Sequence, residues 1–426
     1  MIPAYSFFGD DMDDYDVVIV GAGPAGGAAA RSLSKSGFKT LLLEKEKSFA
    51  ANDFSSGGAP IEILSDFQLP ETVVGAYCRE IRISATQATH VWRDDAPTAL
   101  VLDFKKVRAF LAETAEKNGA KLSLGCTYRA HAHETGHSVV TFKKAENGLT
   151  ESVRAKVLID ATGSDRRVLT GRTKTQADWK NDVIVGRGIE YLVEVPEQVY
   201  QAYADCLSFY IGAKWMPQGY AWIFPMQANC LKVGVGRNFP GMQFVPHRAA
   251  MRDYLDQLMA ECLKTDQVNI LDRHGKTIVY TCHHRDRYAD QNVIAVGDAV
   301  STVNPLTFEG IRHALKSGEI AARQVQDFLE KKTANLKTYE SEMRAYCGMK
   351  WVVSELLTKK IYREPEDEKM TLMLQALKAL SLAALKDLVF DYRLKAVMCF
   401  YAVYQFLLFK RIFSFQAKST RTGRSG

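Results

Sequence analysis

The stretch Tyr15-Asp-Val-Val-Ile-Val-Gly21-Ala-Gly23-Pro24-Ala25-Gly26-Gly-Ala-Ala-Ala-Arg-Ser-Leu33 decides the fold of this chain. A β-branched run enters a GxGxxG motif, and an Ala-rich helical segment follows. In such a strand–turn–helix unit the first glycine permits a tight turn, the second lets the backbone approach a pyrophosphate, and the third lets the helix pack close to the strand. The N–H groups at the start of the helix favour phosphate. The sequence therefore predicts a dinucleotide-binding site.

A second apolar strand follows at Thr40–Leu43 and ends in Glu44 and Lys45. Glu44 lies at the usual distance downstream for a carboxylate that accepts hydrogen bonds from ribose hydroxyls. The rest of this fold is discontinuous in sequence. We expect its later pieces to be a helix at 105–119, a strand at 119–124, a hairpin of 138–142 with 152–157, and strands that lead into Ala161-Thr162-Gly163 and Gly297-Asp298.

The composition is that of a globular protein with a full core, because 47% of the 426 residues are hydrophobic. The net charge is +6, and much of the excess lies at the C-terminus, at Lys410, Arg411, Lys418, Arg421 and Arg424. Neither a basic helix nor an aromatic–Arg stripe is present, so no nucleic-acid partner is expected. The cysteines form no CxxC pair, and the histidines at 131, 133 and 137 are better explained as surface residues, so no metal site is predicted.

A further signal spans residues 292–322, where a strand ends in Gly297-Asp298 and a loop with Pro305 opens a long helix at Gly310 and Ile311. This arrangement can bring the Asp298 carboxylate to a ribityl hydroxyl and a helix N-terminus to a flavin. The alternative for Asp298 is an N-cap or an Asx turn. Its combination with the N-terminal motif favours the cofactor contact.

Taken together, the motifs resemble those of the FAD-dependent oxidoreductases with the aromatic-hydroxylase fold. Within that group, Pro217-Gln-Gly-Tyr220-Ala-Trp222-Ile-Phe224-Pro225 is similar to the Pro-x-x-Tyr-x-Trp-x-Phe-Pro signature of geranylgeranyl reductases, and Ser56-Gly57-Gly58 resembles their Cys-Gly-Gly region. The resemblance covers residues 14–322. The cofactor residues that it implies are Gly21, Gly23, Pro24, Ala25, Gly26, Glu44, Lys45, Arg108, Ala161, Gly163, Gly297, Asp298, Pro305, Gly310 and Ile311.

The resemblance implies an α/β protein with a Rossmann-type FAD-binding domain and an interrupting mixed-sheet substrate domain, and the sequence from about Ile311 onward predicts a helical C-terminal region. We assign residues 12–50, 100–180 and 281–330 to the first, 51–99 and 181–280 to the second, and 331–426 to the third. The implied reaction is reduction of C=C bonds in a polyprenyl group of a prenylated lipid or pigment. NADPH or reduced ferredoxin would be a transient electron donor, because a second GxGxxG motif is absent.

Two positions depart from the family pattern. Ser56 stands where these reductases commonly carry Cys, and Phe308 stands where the loop usually has glycine. Together with Gly57 and Gly58 they are the candidate catalytic positions, and the departures put the proton-donor step in question. An FAD-dependent monooxygenase or halogenase acting on an apolar substrate remains an alternative function. A flavin-binding assembly or regulatory protein without catalysis is another.

Tyr220, Trp222 and Phe224 alternate along one strand, so their side chains share a face. Such a face is either ordinary sheet core or an apolar wall of a tunnel for an isoprenoid chain. The family resemblance favours the substrate wall, with Pro217 beside it.

The C-terminal run Ala396–Phe409 is rich in aromatic residues and is flanked by Lys395, Lys410 and Arg411. It is too short to span a bilayer, which needs about 20 residues, and it suits a helix in the membrane interface. A buried helix or an oligomer contact is the alternative. The N-terminus lacks a basic region followed by an apolar run, so we expect a cytoplasmic, peripheral membrane protein whose oligomeric state is left open.

Overall fold

The computed structural model describes residues 12–51, 55–170, 183–240, 249–362 and 367–422. The tail cations Lys418, Arg421 and Arg424 lie outside the described side chains. The strands, in chain order, are β1 (Asp14–Val20), β2 (Thr40–Leu43), β3 (Gly58–Pro60), β4 (Val74–Cys78), β5 (Glu80–Ala85), β6 (Ala88–Arg93), β7 (Ala99–Leu102), β8 (Lys121–Ser123), β9 (Cys126–Glu134), β10 (His137–Lys144), β11 (Thr150–Asp160), β12 (Val183–Glu194), β13 (Cys206–Ile211), β14 (Gly219–Pro225), β15 (Cys230–Pro240), β16 (Asn269–Thr281), β17 (Ala289–Asp290) and β18 (Val293–Ala295).

The helices pack on both faces of these strands and dominate the C-terminal region. In chain order they are α1 (Pro24–Lys35), α2 (Ile63–Asp66), α3 (Phe104–Lys117), α4 (Glu197–Gln201), α5 (Met251–Leu263), α6 (Ile311–Leu329), α7 (Thr338–Ile361), α8 (Asp367–Lys378), α9 (Leu382–Val389) and α10 (Leu394–Thr422). Within the described ranges, no helix combines the length and the apolar character that crossing a bilayer requires.

The first sheet carries the GxGxxG motif at the end of a buried strand. Its order is β17-β18-β11-β1-β2-β8, and the hairpin of β9 and β10 joins it along β11. β1 pairs in parallel with β2 and β11, and residues 17–20 are buried on both faces, as expected for a central parallel strand. The predicted strand–turn–helix unit and the predicted hairpin are confirmed.

Close packing of α1 explains its Ala- and Gly-rich sequence. The helix lies against α6, where a Cβ on Gly318 would come within 2.2 Å of the carbonyl oxygen of Ala25. Helix α3 packs on the other side of α1 and begins at Asp103, whose side chain accepts from the backbone N–H of Lys106. The predicted helix at 105–119 therefore exists, with its observed bounds shifted by one or two residues.

The second sheet supplies the other half of the candidate site. Its order is β16-β12-β15-β14-β13-β5-β6, and its pairs are antiparallel except for β13 with β5. Helix α5 covers one face, and α8, α9 and α10 pack against the face that carries Trp222 and Phe224. A third, smaller sheet has the strand order β3-β7-β4. In sequence, β5 and β6 of the second sheet lie between its strands β4 and β7. The α/β fold class and the helical C-terminal region are confirmed, while the domain boundaries stay a prediction.

Candidate functional site

The three motif glycines after β1 have different structural roles. Gly21 has a φ of +108°, and a Cβ there would lie 2.4 Å from the carbonyl oxygen of Ala161. A Cβ on Gly26 would lie 1.9 Å from the oxygen of Gly21. By contrast, no protein atom lies within 4 Å of a Cβ built on Gly23. The fold itself therefore requires Gly21 and Gly26, whereas Gly23 faces open space at the start of α1.

That open space belongs to a cavity of about 370 Å³ between the carboxyl ends of the parallel strands and the starts of α1 and α6. Most of the predicted cofactor residues line it: Gly21, Gly23, Pro24, Ala25, Glu44, Lys45, Arg108, Ala161, Gly163, Gly297, Asp298, Gly310 and Ile311. Gly26 and Pro305 do not. The carbonyl oxygen of Pro305 instead accepts from the hydroxyl of Thr358 in α7, so that residue anchors the loop before α6.

Glu44 and Arg108 form a buried pair at the wall of this cavity. Oε2 of Glu44 accepts from the backbone N–H of Ala22 at 2.9 Å and lies 3.4 Å from Nη2 of Arg108. Nη1 of Arg108 donates to the carbonyl oxygen of Ala51 at 3.0 Å. Lys45 lies nearer the surface, with its Nζ 3.6 Å from a carboxylate oxygen of Asp165. The carboxylate of Glu44 is thus fixed beside the glycine turn.

Asp298 carries a buried oxygen that the protein does not satisfy. Its Oδ1 has no hydrogen-bond partner among the described residues, although it borders the cavity. Burial raises the pKa of Asp298, and the positive charges of Lys276 and Arg166 act against that rise. A buried acceptor without a partner is costly and needs a donor. A ribityl hydroxyl would provide one, so Asp298 and the open space at Gly23 both fit FAD.

The Ala161-Thr162-Gly163 turn is held by a residue that the motif reading missed. The buried carboxylate of Asp160 accepts from the backbone and hydroxyl of Thr162 and from the N–H groups of Val168 and Leu169. The guanidinium of Arg166 then bridges the two halves of the site, because it donates to the carbonyl oxygen of Val279 and to the hydroxyl of Ser301. These bonds fix the Ala161-Thr162-Gly163 turn relative to the second sheet.

A second cavity, of about 140 Å³, lies over one face of the second sheet. It shares walls with the first cavity at Ser55, Gly275, Lys276, Ile278 and Phe308. Strand register explains its floor, because Gly186 and Gly188 of β12 and Gly236 of β15 share one face and leave that part of the sheet without side chains. The two cavities therefore adjoin, and the second is a pocket next to the proposed flavin site.

One row of residues crosses four strands at the edge of this pocket. Trp222 of β14 pairs with Gly234 of β15, which pairs with Glu190 of β12, which pairs with His274 of β16. A Cβ on Gly234 would lie 2.2 Å from Cζ2 of Trp222, so the indole lies directly over that glycine. Its Nε1 donates to Oε2 of Glu190 at 2.6 Å, and Oε1 of Glu190 lies 3.1 Å from Nε2 of His274.

The predicted substrate residues separate into two groups. Tyr220 and Trp222 line the pocket, and the hydroxyl of Tyr220 donates to the carbonyl oxygen of Thr307 in the loop before α6. Phe224 does not line either cavity, because its ring packs against Gly58 and Phe209 in the core. Pro217 also lies outside the lining, and its carbonyl oxygen accepts from Nε of Arg237.

The candidate catalytic positions lie where the two halves of the site meet. Ser56 lines the pocket. Gly57 has a φ of +75° and packs against the backbone of Leu102, so both it and Gly58 have a packing role. Phe308 borders both cavities with a φ of +57°, a left-handed conformation that usually belongs to glycine. Its ring lies against Gly186.

Sequence reasoning missed Glu190, His274, Lys276 and the glycines of the second sheet. One signal was available, because Gly234-Val-Gly236 repeats on β15 the period-two spacing of Tyr220 and Trp222 on β14. Glu190 and His274 carry no local signal, since they meet only through the register of β12 and β16.

Known proteins resemble this chain over most of its length. Residues 16–169 match the family model "FAD dependent oxidoreductase", and residues 189–277 match "Geranylgeranyl reductase catalytic domain". The digeranylgeranylglycerophospholipid reductase of Haloferax volcanii is 29% identical over 73% of this chain and 75% of its own length. The geranylgeranyl diphosphate reductase of Synechocystis is 26% identical over 82% of this chain and 85% of its own length.

A solved structure shows the same fold. The geranylgeranyl bacteriochlorophyll reductase-like protein of Thermoplasma acidophilum superposes with a TM-score of 0.78 at 22% identity, covering 92% of this chain and 96% of that one. The second family match, residues 189–277, includes Glu190, Trp222, Gly234 and His274, which form the row across the pocket.

Proposed function

We propose that this chain is an FAD-dependent reductase of the geranylgeranyl reductase type and that it reduces C=C bonds of a polyprenyl group on a lipid or pigment. The observation that carries the proposal is the common wall of the two cavities at Ser55, Lys276 and Phe308. A cofactor in the first cavity and an alkene in the second would meet at that wall.

Reduced FAD, when bound, supplies a hydride equivalent to one carbon of the double bond. The protein's own contribution is to hold the alkene and to exclude water. The glycine floor at Gly186, Gly188 and Gly236 lets a thin hydrocarbon chain approach the sheet, and Trp222 and Tyr220 form its apolar wall. The hydrogen bond from Tyr220 to Thr307 fixes this wall against the loop that would border the flavin.

The electron donor in this proposal is NADPH or reduced ferredoxin, bound transiently. Support comes from the sequence, because it holds one GxGxxG motif, at Gly21–Gly26, and that motif serves the FAD site. Either donor would then have to reduce the flavin from the surface of the protein. Stopped-flow reduction of the bound flavin by each donor distinguishes them.

The test of the activity is anaerobic. Protein reconstituted with FAD and reduced with dithionite is mixed with geranylgeranyl diphosphate or with a geranylgeranylated glycerophospholipid in vesicles. We expect reoxidation of the flavin and product masses that rise by two hydrogens per reduced bond. Reduced flavin that stays reduced with both substrates would contradict the proposal. In a parallel assay in air, oxygen consumption with an oxygenated or halogenated product would instead support the monooxygenase or halogenase alternative. Silence in both assays would support the non-catalytic one.

We further propose that the protein docks on a membrane through α10. Its buried side packs on the second sheet through Ala396 and Phe400, while Met398, Phe406 and Phe409 on the other side are 71%, 62% and 59% exposed. Exposed apolar residues of this size on one helix face mark an interaction surface.

Cations accompany that apolar face, which favours an anionic lipid surface over a protein partner. Lys395 and Lys410 flank it on α10. Helix α7 extends it, since Lys360 lies 3.2 Å from the hydroxyl of Tyr401, and Leu356, one turn earlier, is exposed. An apolar stripe with cationic borders is typical of helices that lie in the membrane interface.

Flotation with vesicles containing phosphatidylglycerol tests the docking. Because Ala396 and Phe400 are buried, substitutions on the exposed side are a cleaner test than removal of the helix. We expect the triple variant M398E/F406E/F409E to lose vesicle binding while it keeps FAD. The control is Leu149→Glu, which adds a charge beside the β10–β11 turn. Leu149 is 59% exposed, as Phe409 is. Equal flotation of the triple variant and the wild type would contradict the docking proposal.

A further inference from the structure

Glu190 and His274 form a hydrogen-bonded pair inside the pocket that the alkene would occupy. Oε1 of Glu190 lies 3.1 Å from Nε2 of His274, and both side chains are more than nine-tenths buried. The other oxygen of Glu190 is fixed by Nε1 of Trp222. The carboxylate therefore cannot turn away from the imidazole without losing the indole hydrogen bond.

The pair also has a route to bulk water. Nδ1 of His274 lies 3.1 Å from Oδ2 of Asp272, whose side chain is half exposed at the surface end of the row. A hydrogen-bonded line thus runs from solvent through Asp272 and His274 to Glu190 and ends at the pocket. Because Nδ1 carries the hydrogen that points at Asp272, Nε2 is the nitrogen that can give a proton to the pocket and take one back from water that enters it.

From this geometry, and resting on the proposed reductase function, we propose that the Glu190–His274 pair supplies the proton that reduction of the alkene consumes. One alkene carbon receives the hydride, with its two electrons, from reduced FAD. The other carbon receives the proton held between Nε2 of His274 and Oε1 of Glu190. The N–H bond at Nε2 breaks as the new C–H bond forms, FAD would be left oxidised, and Nε2 of His274 regains a proton from water that enters the pocket when the product leaves.

The carboxylates around His274 favour its protonated form, which is the form that donates the proton. Burial alone would lower the pKa of His274, but hydrogen bonding and attraction from Glu190 and then Asp272 outweigh burial and raise it. The remaining charged groups that line the pocket, Lys276, Arg187 and Arg237, are cations and would act in the opposite direction. The two carboxylates therefore favour the protonated imidazole, and loss of its Nε2 proton leaves a lone pair facing Oε1 of Glu190.

A proton-donating pair also explains how the reaction can proceed in a chain that has Ser56 at the position where related reductases commonly carry cysteine. A serine hydroxyl is a weak acid, and Ser56 lines the same pocket as His274. A proton donor other than residue 56 is therefore required if the reaction is to proceed. His274 is the histidine among the described residues that line the pocket. An imidazole is the side chain that most readily exchanges a proton near neutral pH.

The first test needs neither flavin nor substrate. Histidine Cε1–H signals are followed by NMR as the pH is raised, and the spectrum of His274→Gln assigns the resonance of His274. We expect His274 to titrate above an ordinary histidine, and to titrate at lower pH in Glu190→Gln and in Asp272→Asn. A midpoint that is the same in all these proteins would overturn the proposed coupling.

The second test isolates the proton-dependent half of the reaction. We expect His274→Gln to bind FAD and to be reduced by dithionite as the wild type is, but to reoxidise with a prenyl substrate about 10²-fold more slowly, the typical contribution of a general acid. The wild-type rate should fall as pH rises, and this fall should shift to lower pH in Asp272→Asn. A residue that only supports the fold would not move the pH profile.

A matched pair on the surface provides the control. His137 lies 2.9 Å from a carboxylate oxygen of Glu134 on the β9–β10 hairpin, far along the chain from the pocket strands. We expect His137→Gln to keep the wild-type rate and pH profile. If His274→Gln also keeps them while the wild type saturates prenyl groups, the proton-donor inference is wrong and the reductase function stands. If the wild type saturates none, the reductase function fails, and the NMR titration still reports on the pair.

Discussion

The ring of Phe308 fills the space that a side chain on Gly186 would need. A Cβ on Gly186 would lie 2.3 Å from Cε1 of Phe308, and Phe308 itself has a φ of +57°. A left-handed conformation costs a non-glycine residue about 1–2 kcal/mol. The contact with Gly186, which has no side chain, therefore holds Phe308 in a backbone conformation that is unfavourable for a non-glycine residue. Phe308 lies at the wall between the two cavities.

We expect Gly186→Ala to destabilise the protein by about 1–3 kcal/mol, the usual cost of overpacking. Phe308→Gly should open the wall and relieve the backbone strain, and the double variant should recover most of the stability lost in Gly186→Ala. Urea unfolding of the four proteins in this cycle measures the coupling. Gly188→Ala is the control, because its Cβ would have no neighbour closer than 3.8 Å. Additive effects of the two substitutions would contradict the contact.

A second prediction separates the roles of the motif glycines. Gly23→Val should fold but bind no FAD, because a side chain there enters open cavity and not protein. Gly26→Ala should lose stability even without FAD, since its Cβ would meet the carbonyl oxygen of Gly21. Visible flavin absorbance and the Tm with and without added FAD measure both effects. In the wild type, FAD at 100 times its Kd should stabilise by about 2.7 kcal/mol. Flavin bound to Gly23→Val would contradict this assignment.

Local sequence predicted well the strands, turns and helices that surround the first cavity. Each element there is announced by a short pattern, such as the apolar run before Gly21 or the strand before Gly297, and parallel strands bring their carboxyl ends to one edge. The pocket half was less predictable. Tyr220, Trp222 and Phe224 share a face, as the alternation indicates, but Phe224 lies beyond the end of the pocket and packs on Gly58.

Long-range register accounts for what the sequence could not indicate. Glu190 and His274 are 84 positions apart and become neighbours only because β12 pairs with β16. Likewise, Phe308 contacts Gly186 through the approach of a loop to a distant strand. Neither relation leaves a periodic pattern in the chain, so both depend on how the second sheet is assembled.

A third prediction concerns the position of the Trp222 indole over Gly234. Gly234→Ala should displace the ring, because the new Cβ would lie within 2.8 Å of Cζ2, Cε2 and Nε1. The hydrogen bond from Nε1 to Glu190 would be lost with it. We expect a shift in tryptophan fluorescence and slower reoxidation by a prenyl substrate, with FAD binding retained. Gly188→Ala, whose Cβ would lie at an ordinary 3.8 Å from the indole, is the control for the emission spectrum alone, because Gly188 belongs to the pocket floor. An unchanged emission spectrum in Gly234→Ala would show that the indole does not depend on that glycine.

The last prediction is a pH dependence that arises in the loop before α6. Burial would raise the pKa of Glu309, but His313 and Arg312 outweigh burial and lower the pKa from 4.5 to about 2. Oε2 of Glu309 lies 2.8 Å from Nε2 of His313 and 3.3 Å from Nη2 of Arg312.

A carboxylate whose pKa falls on folding stabilises the native state above its unfolded pKa, and this stabilisation is lost as the pH falls from about 4.5 to 2. Glu309→Gln should therefore cost on the order of 3 kcal/mol at neutral pH. The difference from the wild type should shrink through the acid range. Urea unfolding of both proteins at a series of pH values measures it. The control is Glu319→Gln on α6, whose partly exposed pairs with Arg31 and Lys316 should contribute little. If the free energies of unfolding of the wild type and Glu309→Gln differ by the same amount at every pH, the charge of Glu309 does not hold the loop.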